Sequence, residues 1–383
     1  MNGLYIDTPE DLVALCNRLY DSAWIALDTE FIRERTYYPQ LCLVQVANEE
    51  QVACIDPLAL TDLGPLLEIL YDPTITKVLH AAHQDLEIFF NLRGALPCPV
   101  FDTQLAANLL GQGEQVGYAA LVKALLGVEL DKSQTRTDWS RRPLDSAQLS
   151  YAADDVSYLR EVYHLQRAEL ESRNRLAWLT DDFRELCNPA RYQVHSQEAW
   201  QRIKGNQQLR GAQLAVLRAL AAWREEQAST RNRPRKWILG DEVLLELARH
   251  SPPNGEALQR IRGLEPATLR RHGQALLELI TAARHQPRDR WPRLPPRRPL
   301  SPEQEALVDV MMAVVRLRGA QKGISPQILA SRKDLERLLT NDQDVPLLRG
   351  WRAAVAGHEV QALLRGELRL EVSAGELRTV AMA

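Results

Sequence analysis

The chain has 383 residues, of which 45% are hydrophobic and 25% are charged, and its formal net charge is −3. This composition excludes a disordered chain, and the lack of an apolar stretch of about 20 residues argues against a membrane protein. The length predicts two or three domains, and we expect no secretory signal because the N-terminus lacks a basic region followed by an apolar one.

A buried strand that ends in two carboxylates is the first predicted element with polar chemistry. The short apolar run at residues 24–27 is followed closely by Asp28 and Glu30. These two side chains share one face, because residues two apart on a strand point the same way. Two carboxylates in such a position repel each other and lose hydration, and a divalent cation relieves both costs. The pair alone is weak evidence, since Asp-x-Glu recurs at residues 85–87 and 334–336.

A further acid is predicted at the start of a helix. Residues 77–90 indicate a strand that ends near His80 and a helix that begins near His83, which puts Asp85 in the first turn, where the helix dipole favours an anion. By itself Asp85 is interpreted as a helix cap. The two histidines suggest zinc, but no cysteine or third histidine has ligand spacing, so packing or a substrate contact is favoured. Asp102, at the end of a later strand, competes with Asp85 as a candidate ligand of a metal ion.

A long helix at residues 146–173 carries the last group. This segment contains no glycine or proline, and Asp145 gives it a capping box. Tyr151 and Asp155 are four residues apart and therefore lie on one helix face. Asp154 points about 100° away, so we interpret it as a bystander. Of the ten tyrosines, only Tyr151 is followed by an acidic residue four positions later.

In chain order, these elements give Asp-x-Glu, a further Asp, and Tyr-x-x-x-Asp. This order resembles the four-carboxylate (DEDD) 3'-5' exonuclease superfamily, in its tyrosine-bearing branch. The segments 35–46, 101–107, 137–144 and 151–156 are similar to the bacterial ribonuclease D family, and the resemblance covers nearly the whole chain. It implies an α/β exonuclease domain of the ribonuclease-H-like kind, a mixed sheet with flanking helices, over residues 1–190.

Five strands are predicted in this domain, with helices between and after them. They lie near residues 23–30, 41–47, 51–55, 76–80 and 99–103. Strands that come first in a hairpin-like run and then alternate with helices suit a mixed sheet, although the sequence pattern alone allows other α/β arrangements.

The resemblance also implies a role for each polar residue. Two divalent ions, Mg²⁺ or Mn²⁺, would be held by the four carboxylates Asp28, Glu30, Asp85 and Asp155 through the hard oxygen ligands that these ions prefer. The ion on Asp28, Glu30 and Asp155 would activate the attacking water, and Asp85 would hold the other ion. Tyr151 would orient that water, since a tyrosine that titrates near pH ~10 is a weak base unaided.

Six residues are weaker candidates for contacts with RNA, because cationic groups suit phosphate and aromatic faces suit bases. They are Gln45, Trp139, Arg142, Arg233, Arg235 and Lys236. Trp139 is interpreted equally well as a core residue, and the loop at residues 231–237 equally well as a solvated connection between helices.

The net charge is divided unevenly along the chain. Residues 1–200 hold 16 Lys and Arg against 30 Asp and Glu, residues 201–300 hold 20 against 9, and residues 301–383 hold 11 against 11. An acidic half suits cation binding, and a basic segment attracts phosphate through counterion release. A genome rich in arginine codons is the alternative explanation, but it does not explain why arginine clusters in one segment.

The C-terminal half is predicted to be helical. Residues 206–285 resemble the HRDC module, a small helical domain also found in RecQ-type helicases. Its helices are predicted at residues 210–227, 241–249, 254–261 and 266–284. A stiff linker rich in Pro and Arg follows at residues 286–300. Residues 301–372 resemble a diverged second copy whose neutral charge favours packing or spacing over RNA affinity, and the tail beyond residue 372 is expected to fray.

The five cysteines are odd in number and form no Cys-x-x-Cys motif, so they predict reduced and mostly buried thiols. Reduced thiols are typical of a cytoplasmic protein. We therefore expect a cytoplasmic monomer with no membrane partner.

The leading hypothesis is a metal-dependent 3'-5' exoribonuclease that releases 5'-mononucleotides from the 3' ends of structured RNAs such as tRNA precursors. The carboxylates themselves imply only two-metal phosphodiester hydrolysis, and the polarity and the tRNA substrate come from the resemblance. A 3'-5' deoxyribonuclease of the same superfamily and a non-catalytic RNA-binding scaffold remain alternatives. A helicase is disfavoured because no Gly-x4-Gly-Lys-Ser/Thr motif occurs.

Overall fold

The computed structural model describes residues 3–131, 133–134, 137–294 and 299–382. These residues form two compact units. The first unit comprises the described residues of Met1–Glu30, Cys42–Asn188 and Arg298–Ala383, and the second those of Phe31–Leu41 and Pro189–Arg297. The second predicted helical module is therefore part of the same compact unit as the exonuclease sheet, whereas the domain limits proposed above remain a prediction.

A six-stranded mixed sheet is the framework of the first unit, and its strand order is β1-β4-β3-β2-β5-β6. Its strands are β1 (Leu4–Ile6), β2 (Trp24–Ile32), β3 (Gln40–Ala47), β4 (Val52–Ile55), β5 (Thr76–Leu79) and β6 (Val100–Asp102). The pairs β1–β4, β2–β5 and β5–β6 are parallel, and β3–β4 is antiparallel. The predicted mixed sheet is confirmed, and β1, which is three residues long, is the one strand of this sheet that the sequence pattern missed.

Among the described residues before position 188, seven α-helices accompany the sheet. They are α1 (Pro9–Leu19), α2 (Gly64–Tyr71), α3 (His83–Arg93), α4 (Thr103–Leu110), α5 (Tyr118–Leu126), α6 (Ser146–Ser172) and α7 (Thr180–Leu186). The capping box of α6 is confirmed, because Asp145 and Gln148 each accept a hydrogen bond from the backbone N–H of the other. One apolar side of α6 packs into a core with Ala26 of β2, Val78 of β5 and Phe101 of β6, which fixes the helix against the centre of the sheet.

The second unit is helical and has its own core. Its α-helices are α8 (Ala212–Thr230), α9 (Arg235–Ile238), α10 (Asp241–His250), α11 (Gly255–Gln259) and α12 (Pro266–Arg284). All four predicted helices are present, within a few residues of their predicted limits. Apolar side chains from α8, α10, α11 and α12 interdigitate, with Leu217, Leu244, Leu258 and Leu276 fully buried at the centre.

The C-terminal module, which runs from α13 to α17, has a separate core around Met311 and Leu335. Its elements are α13 (Pro302–Lys322), α14 (Pro326–Leu329), α15 (Arg332–Leu339), α16 (Gly350–Arg352), a π-helical segment (Ala353–Gly357) and α17 (His358–Leu364). The expectation that the tail frays is wrong, because Leu368–Ser373 (β7) and Glu376–Ala381 (β8) pair as an antiparallel hairpin. Throughout the described ranges, every helix is too short or too polar to cross a bilayer.

The prediction of five free thiols is wrong for two of them. Cys98, before β6, and Cys187, after α7, form a disulfide with their Cα atoms 6.2 Å apart, while Cys16, Cys42 and Cys54 are free and buried. The two bonded residues are 89 positions apart in sequence, so their spacing gave no signal of the pairing.

A buried ion pair joins two distant parts of the first unit. Asp56, after β4, is 1% exposed and accepts hydrogen bonds from Arg142 Nε at 2.5 Å, Arg142 Nη2 at 2.7 Å and the Tyr5 hydroxyl at 2.5 Å. Burial alone would raise the pKa of Asp56, but the hydrogen bonds from Arg142 and Tyr5 outweigh it, so the pKa is lowered. The carboxylate is thus charged and depends on Arg142 for compensation.

We expect Arg142→Ala to destabilise the fold by about 3 kcal/mol, because it leaves a buried carboxylate without its cation. Thermal unfolding at neutral pH measures the loss. Arg141→Ala is the matched control, since its side chain is 82% exposed in an ion pair with Asp138 and should change stability by less than about 1 kcal/mol. Equal melting temperatures for the two variants would contradict the structural role of Arg142.

Candidate active site

A cavity of about 680 Å³ lies between β2, the start of α5 and the N-terminal half of α6. Acidic and aromatic side chains face it from all three elements. The polar and aromatic residues that line it include Asp28, Thr29, Glu30, His80, Tyr118, Asp131, Ser150, Tyr151, Asp154 and Asp155. Four of the five predicted catalytic residues therefore share one cavity, although they are up to 127 positions apart in sequence.

The fifth residue, Asp85, lies in the first turn of α3 as predicted but is not among the residues that line the cavity. It is 7% exposed, and its Oδ1 accepts a hydrogen bond of 2.5 Å from the Thr29 hydroxyl. Thr29 stands between the two acids of β2 in sequence, so this bond ties Asp85 to the same strand. Its charge raises the pKa of both Asp28 and Glu30, which places it electrostatically within the acidic group.

Burial and the charges of neighbouring acids raise the pKa of all four carboxylates. Burial and then the charges of Asp155, Asp85 and Glu30 raise the pKa of Asp28 well above its usual range. Burial, Asp155 and Asp85 raise the pKa of Glu30 to about 8. Burial, followed by the charge of Asp154, raises that of Asp155 to about 7. Burial raises the pKa of Asp85 to about 6, with the Thr29 hydrogen bond opposing it. Raised values of this kind mark charge that the protein alone does not compensate.

The donor set is that of a divalent cation. In the described residues, no Lys, Arg or His forms an ion pair with any of the four acids. No three acidic, histidine or cysteine side chains in that part of the chain already stand where they could jointly hold an ion, so the side chains would have to turn towards it. Four hard oxygen donors without a cationic partner nevertheless fit Mg²⁺ or Mn²⁺ in kind.

Tyr151 lies one helical turn before Asp155 on α6, and both line the cavity. The Tyr151 ring is 6.1 Å from the ring of Trp139, which braces it from one side. Asp154, interpreted from the sequence as a bystander, lines the cavity too, because the cavity is wider than one helix face. It also adds negative charge next to Asp155.

Two residues of the cavity wall were not found by the sequence analysis in this role. The Tyr118 hydroxyl donates hydrogen bonds to the backbone oxygens of Asp155 and, at 3.3 Å, of Asp154. His80 has Nδ1 2.9 Å from Thr103 Oγ1 and Nε2 2.9 Å from the Val116 carbonyl oxygen, and burial lowers its pKa. A neutral His80 with both nitrogens engaged is a packing residue, which removes the basis for a zinc site. No local pattern marks Tyr118, because its partner is a backbone atom 37 residues away.

Three candidate RNA contacts in the first unit are structural instead. Gln45 is 0% exposed and its amide has no hydrogen-bond partner among the described residues, and Trp139 is 3% exposed, which agrees with its interpretation as a core residue. Arg142 uses its guanidinium on Asp56 and on the backbone oxygens of Trp139, Arg141 and Cys42. The sequence does not show that the Arg142 cation is already used inside the fold.

Asp102 does not share the role of Asp85. Its carboxylate accepts hydrogen bonds from the backbone N–H groups of Ala81, Ala82, Gln104 and Leu105 at 2.8 to 3.2 Å. It thereby caps α4 and holds the turn before α3 in place. An acid with four donors around it has little capacity left for a metal ion.

The remaining candidates for RNA contacts lie in the second unit, and they differ in exposure and in the partners of their charged groups. Arg235 donates hydrogen bonds to both carboxylate oxygens of Glu225 and to the Tyr37 hydroxyl, so its charge is used inside the unit. Arg233 and Lys236 are exposed, and Trp237 beside them is 58% exposed. The exposed pair and the tryptophan keep the composition of a nucleic-acid contact, whereas Arg235 does not.

Two protein-family models match the chain. One is described as a 3'-5' exonuclease and matches residues 4–171, and the other is the HRDC domain and matches residues 213–280. The first range contains every residue of the acidic group, and the second lies within the helices of the second unit.

Several relatives named ribonuclease D match almost the whole chain. The one from Granulibacter bethesdensis is 42% identical over 379 residues, which cover 98% of this chain and 96% of the relative. The one from Pseudomonas paraeruginosa is 42% identical over 366 residues, or 94% and 96% of the two chains. Among solved structures, RNase D of Escherichia coli, described as an exoribonuclease involved in structured RNA processing, has a TM-score of 0.85 at 37% identity and covers 96% of this chain and 99% of that chain.

Identity at this level over nearly full length exceeds what a shared fold alone would give, and the acidic cavity lies inside the matched exonuclease range. Exonucleases of this superfamily depend on divalent metal ions. The chain belongs to the ribonuclease D family of 3'-5' exoribonucleases.

Proposed function

We propose that this enzyme trims the 3' ends of structured RNAs, tRNA precursors among them, and releases 5'-mononucleotides by two-metal-ion hydrolysis in the cavity between β2 and α6. The observation that carries the proposal is a group of four buried or half-buried carboxylates, three of them lining that cavity, for which the described residues provide no cationic partner. The solved relative that processes structured RNA supports the substrate class. An RNA substrate in a bacterial family also supports a cytoplasmic location, and we propose a monomer as the working form.

The metal ligands in this proposal are Asp28, Glu30, Asp85 and Asp155. Two Mg²⁺ or Mn²⁺ ions, when bound, supply a water of lowered pKa and neutralise charge on the phosphoryl and leaving oxygens. Asp28, Glu30 and Asp155 face the cavity directly. Asp85, fixed by Thr29, contributes from behind the strand, which suits a ligand that acts partly through water.

Tyr151 and Tyr118 have different roles in this proposal. The Tyr151 ring, braced by Trp139, directs its hydroxyl group to hold the attacking water in line with the scissile phosphate. Tyr118 is committed to the backbone of α6 and therefore positions the helix turn that carries Asp155. Burial raises the pKa of Tyr118 well above its usual range, so it stays protonated and keeps donating.

The second unit is the RNA anchor in this proposal. The basic segment at residues 201–300 holds 20 Lys and Arg against 9 Asp and Glu. Arg233 and Lys236 are exposed for phosphate, and Trp237, which is 58% exposed with Arg233 over its ring, offers aromatic surface for a base. The neutral C-terminal module has no such excess of positive charge and is not the anchor in this proposal.

Asp155→Asn should lower the rate of mononucleotide release by roughly 10²- to 10³-fold, because it removes a carboxylate that would hold a metal ion, and should leave RNA binding nearly intact. End-labelled tRNA precursor with a free 3' end, with and without chelator, is the assay. Glu161→Gln is the control, since it makes the same chemical change on an exposed face of α6. Equal turnover by Asp155→Asn and the unmodified enzyme would refute the site. A matched DNA strand tests the deoxyribonuclease alternative.

The stability of the metal-free enzyme should fall as the pH rises. The pKa values of about 7 for Asp155 and about 8 for Glu30 lie above those of an unfolded chain, so the folded state binds protons more tightly. That stabilisation is complete below pH ~4 and is lost as the pH rises through 7 and 8. We expect the melting temperature in chelator to decrease between about pH 5 and pH 9. Added Mg²⁺ should raise the melting temperature, and the increase should be largest near pH 9. A melting temperature that rose over this interval would contradict the acidic group.

Lys236→Ala should weaken RNA binding and reduce the slope of log Kd against log salt by about 1, as expected for one lost phosphate contact. Trp237→Ala should weaken binding by about 1–3 kcal/mol and leave that slope unchanged, because stacking releases no counterions. Lys333→Ala, an exposed lysine of the C-terminal module, is the control. An unchanged slope in Lys236→Ala, or an equal loss in Lys333→Ala, would show that the basic module is not the anchor.

A further inference from the structure

The loop between α4 and α5 (residues 111–117) forms one edge of the cavity. It ends at Gly117, and the next residue, Tyr118, holds the backbone of α6 at Asp155. Just before that, the Val116 carbonyl oxygen accepts a 3.1 Å hydrogen bond from Gln104 Nε2 and lies 2.9 Å from His80 Nε2. The position of this loop therefore sets the position of the cavity wall.

The loop itself has little internal support. None of its residues is fully buried, and Gly111, Gly113 and Gln115 have positive φ angles of 74°, 127° and 46°. A loop without buried apolar residues belongs to the least stable parts of a fold unless other elements hold it. Its contacts with neighbouring elements must therefore fix its conformation.

Some of those contacts come from α6, where Gln166 donates a hydrogen bond to Gln112 of the loop and Glu169 accepts one from it. The C-terminal module supplies others through one turn (residues 323–325), which we call the docking turn. The Ser325 hydroxyl donates a 2.8 Å hydrogen bond to Glu114 Oε1 in the loop, and the Ser325 N–H donates one of 3.1 Å to the Asn108 carbonyl oxygen in α4. The backbone approach is close, because a Cβ atom on Gly111 would lie 2.8 Å from the Gly323 carbonyl oxygen.

Two further contacts tie the docking turn to the cavity side of the first unit. Ile324 is 4% exposed and belongs to the same core as Leu159, which lines the cavity. Arg175 bridges the two parts, with Nη1 3.1 Å from the Leu109 carbonyl oxygen and Nη2 2.6 Å from that of Lys322. The turn is thus attached to α4, to the loop and to the core behind α6.

We propose that the C-terminal module is a positioning element of the active site: its docking turn clamps the α4–α5 loop, which His80 contacts at Val116, and thereby holds Tyr118 against the α6 turn that carries Asp155. Ser325, Glu114 and Gly111 are positioning residues in this account and do not touch substrate. The inference rests on the proposed function in taking the cavity as the active site. It assigns a catalytic purpose to a module whose neutral charge gives it no evident hold on RNA.

The first test compares Gly111→Ala with Gly94→Ala. Both glycines end helices at positive φ, 74° and 67°, so an alanine costs similar backbone strain at each. Only at Gly111 does the new Cβ meet the docking turn, because nothing lies within 4 Å of it at Gly94. We expect Gly111→Ala to lower kcat for 3'-end trimming about tenfold with RNA Kd unchanged, and Gly94→Ala to keep kcat within about twofold, since small displacements in an active site cost rate steeply.

The second test uses the side-chain contact and does not depend on whether Gly111→Ala folds. Ser325→Ala and Glu114→Ala should each lower kcat about three- to fivefold, and the double variant should be no worse than either single one, because both remove the same hydrogen bond. Glu114→Gln keeps an acceptor oxygen and should restore kcat. All assays are run well below the melting temperature of each variant, which is measured alongside.

Three outcomes separate the explanations. Reduced kcat with unchanged Kd and rescue by Glu114→Gln supports the positioning role. Lower melting temperatures with normal kcat in Gly111→Ala and Ser325→Ala would overturn it and leave the module purely structural, and a raised Kd with normal kcat would overturn it in favour of an RNA contact. If the unmodified enzyme fails to degrade RNA, or if Asp155→Asn does not lower its activity, the proposed function fails. If the enzyme is active and depends on Asp155 but the variants of the docking turn keep normal kcat, only this inference is refuted.

Discussion

The repulsion among four partly buried carboxylates is the constraint on which the rest of the first unit depends. Asp28, Glu30, Asp85 and Asp155 each have a raised pKa because burial and their neighbours' charge oppose ionisation. A flexible structure would relieve this repulsion by letting the four acids move apart into solvent. This one does not, because β2 is an inner strand of the sheet and α6 is a long helix capped at its start and packed on the sheet's core.

The chain treats its other buried acids differently, and the contrast identifies the site. Asp56 has a bidentate arginine and a tyrosine hydroxyl, and Asp102 has four backbone N–H donors. Both acids are compensated from within the protein and serve the fold. The acidic group at the cavity has no cationic partner among the described residues, so its counter-charge is to be sought among ligands. The acids that are paired within the protein thus serve stability, and the acids at the cavity serve function.

Part of the fold and of the site could be predicted from local sequence patterns. The strand of Asp28 and the helix of Asp155 follow from apolar periodicity and a capping box, and both are where those patterns place them. The candidates Arg142 and Arg235 failed for one reason: whether an arginine is free for phosphate depends on an acid elsewhere in the chain, Asp56 or Glu225, that only the tertiary structure brings to it. The Cys98–Cys187 bond and the backbone contact of Tyr118 escaped prediction for the same reason.

The two helical parts of the C-terminal half differ in the properties that matter for RNA. One carries the excess of positive charge and an exposed tryptophan, and it forms a compact unit of its own. The other is neutral, belongs to the compact unit of the sheet and inserts Ile324 into the core behind α6. The two parts suit different ends, because phosphate attraction needs unpaired surface charge whereas precise positioning needs buried, fully paired contacts. A single module would have to compromise between the two, and the chain avoids this by carrying both.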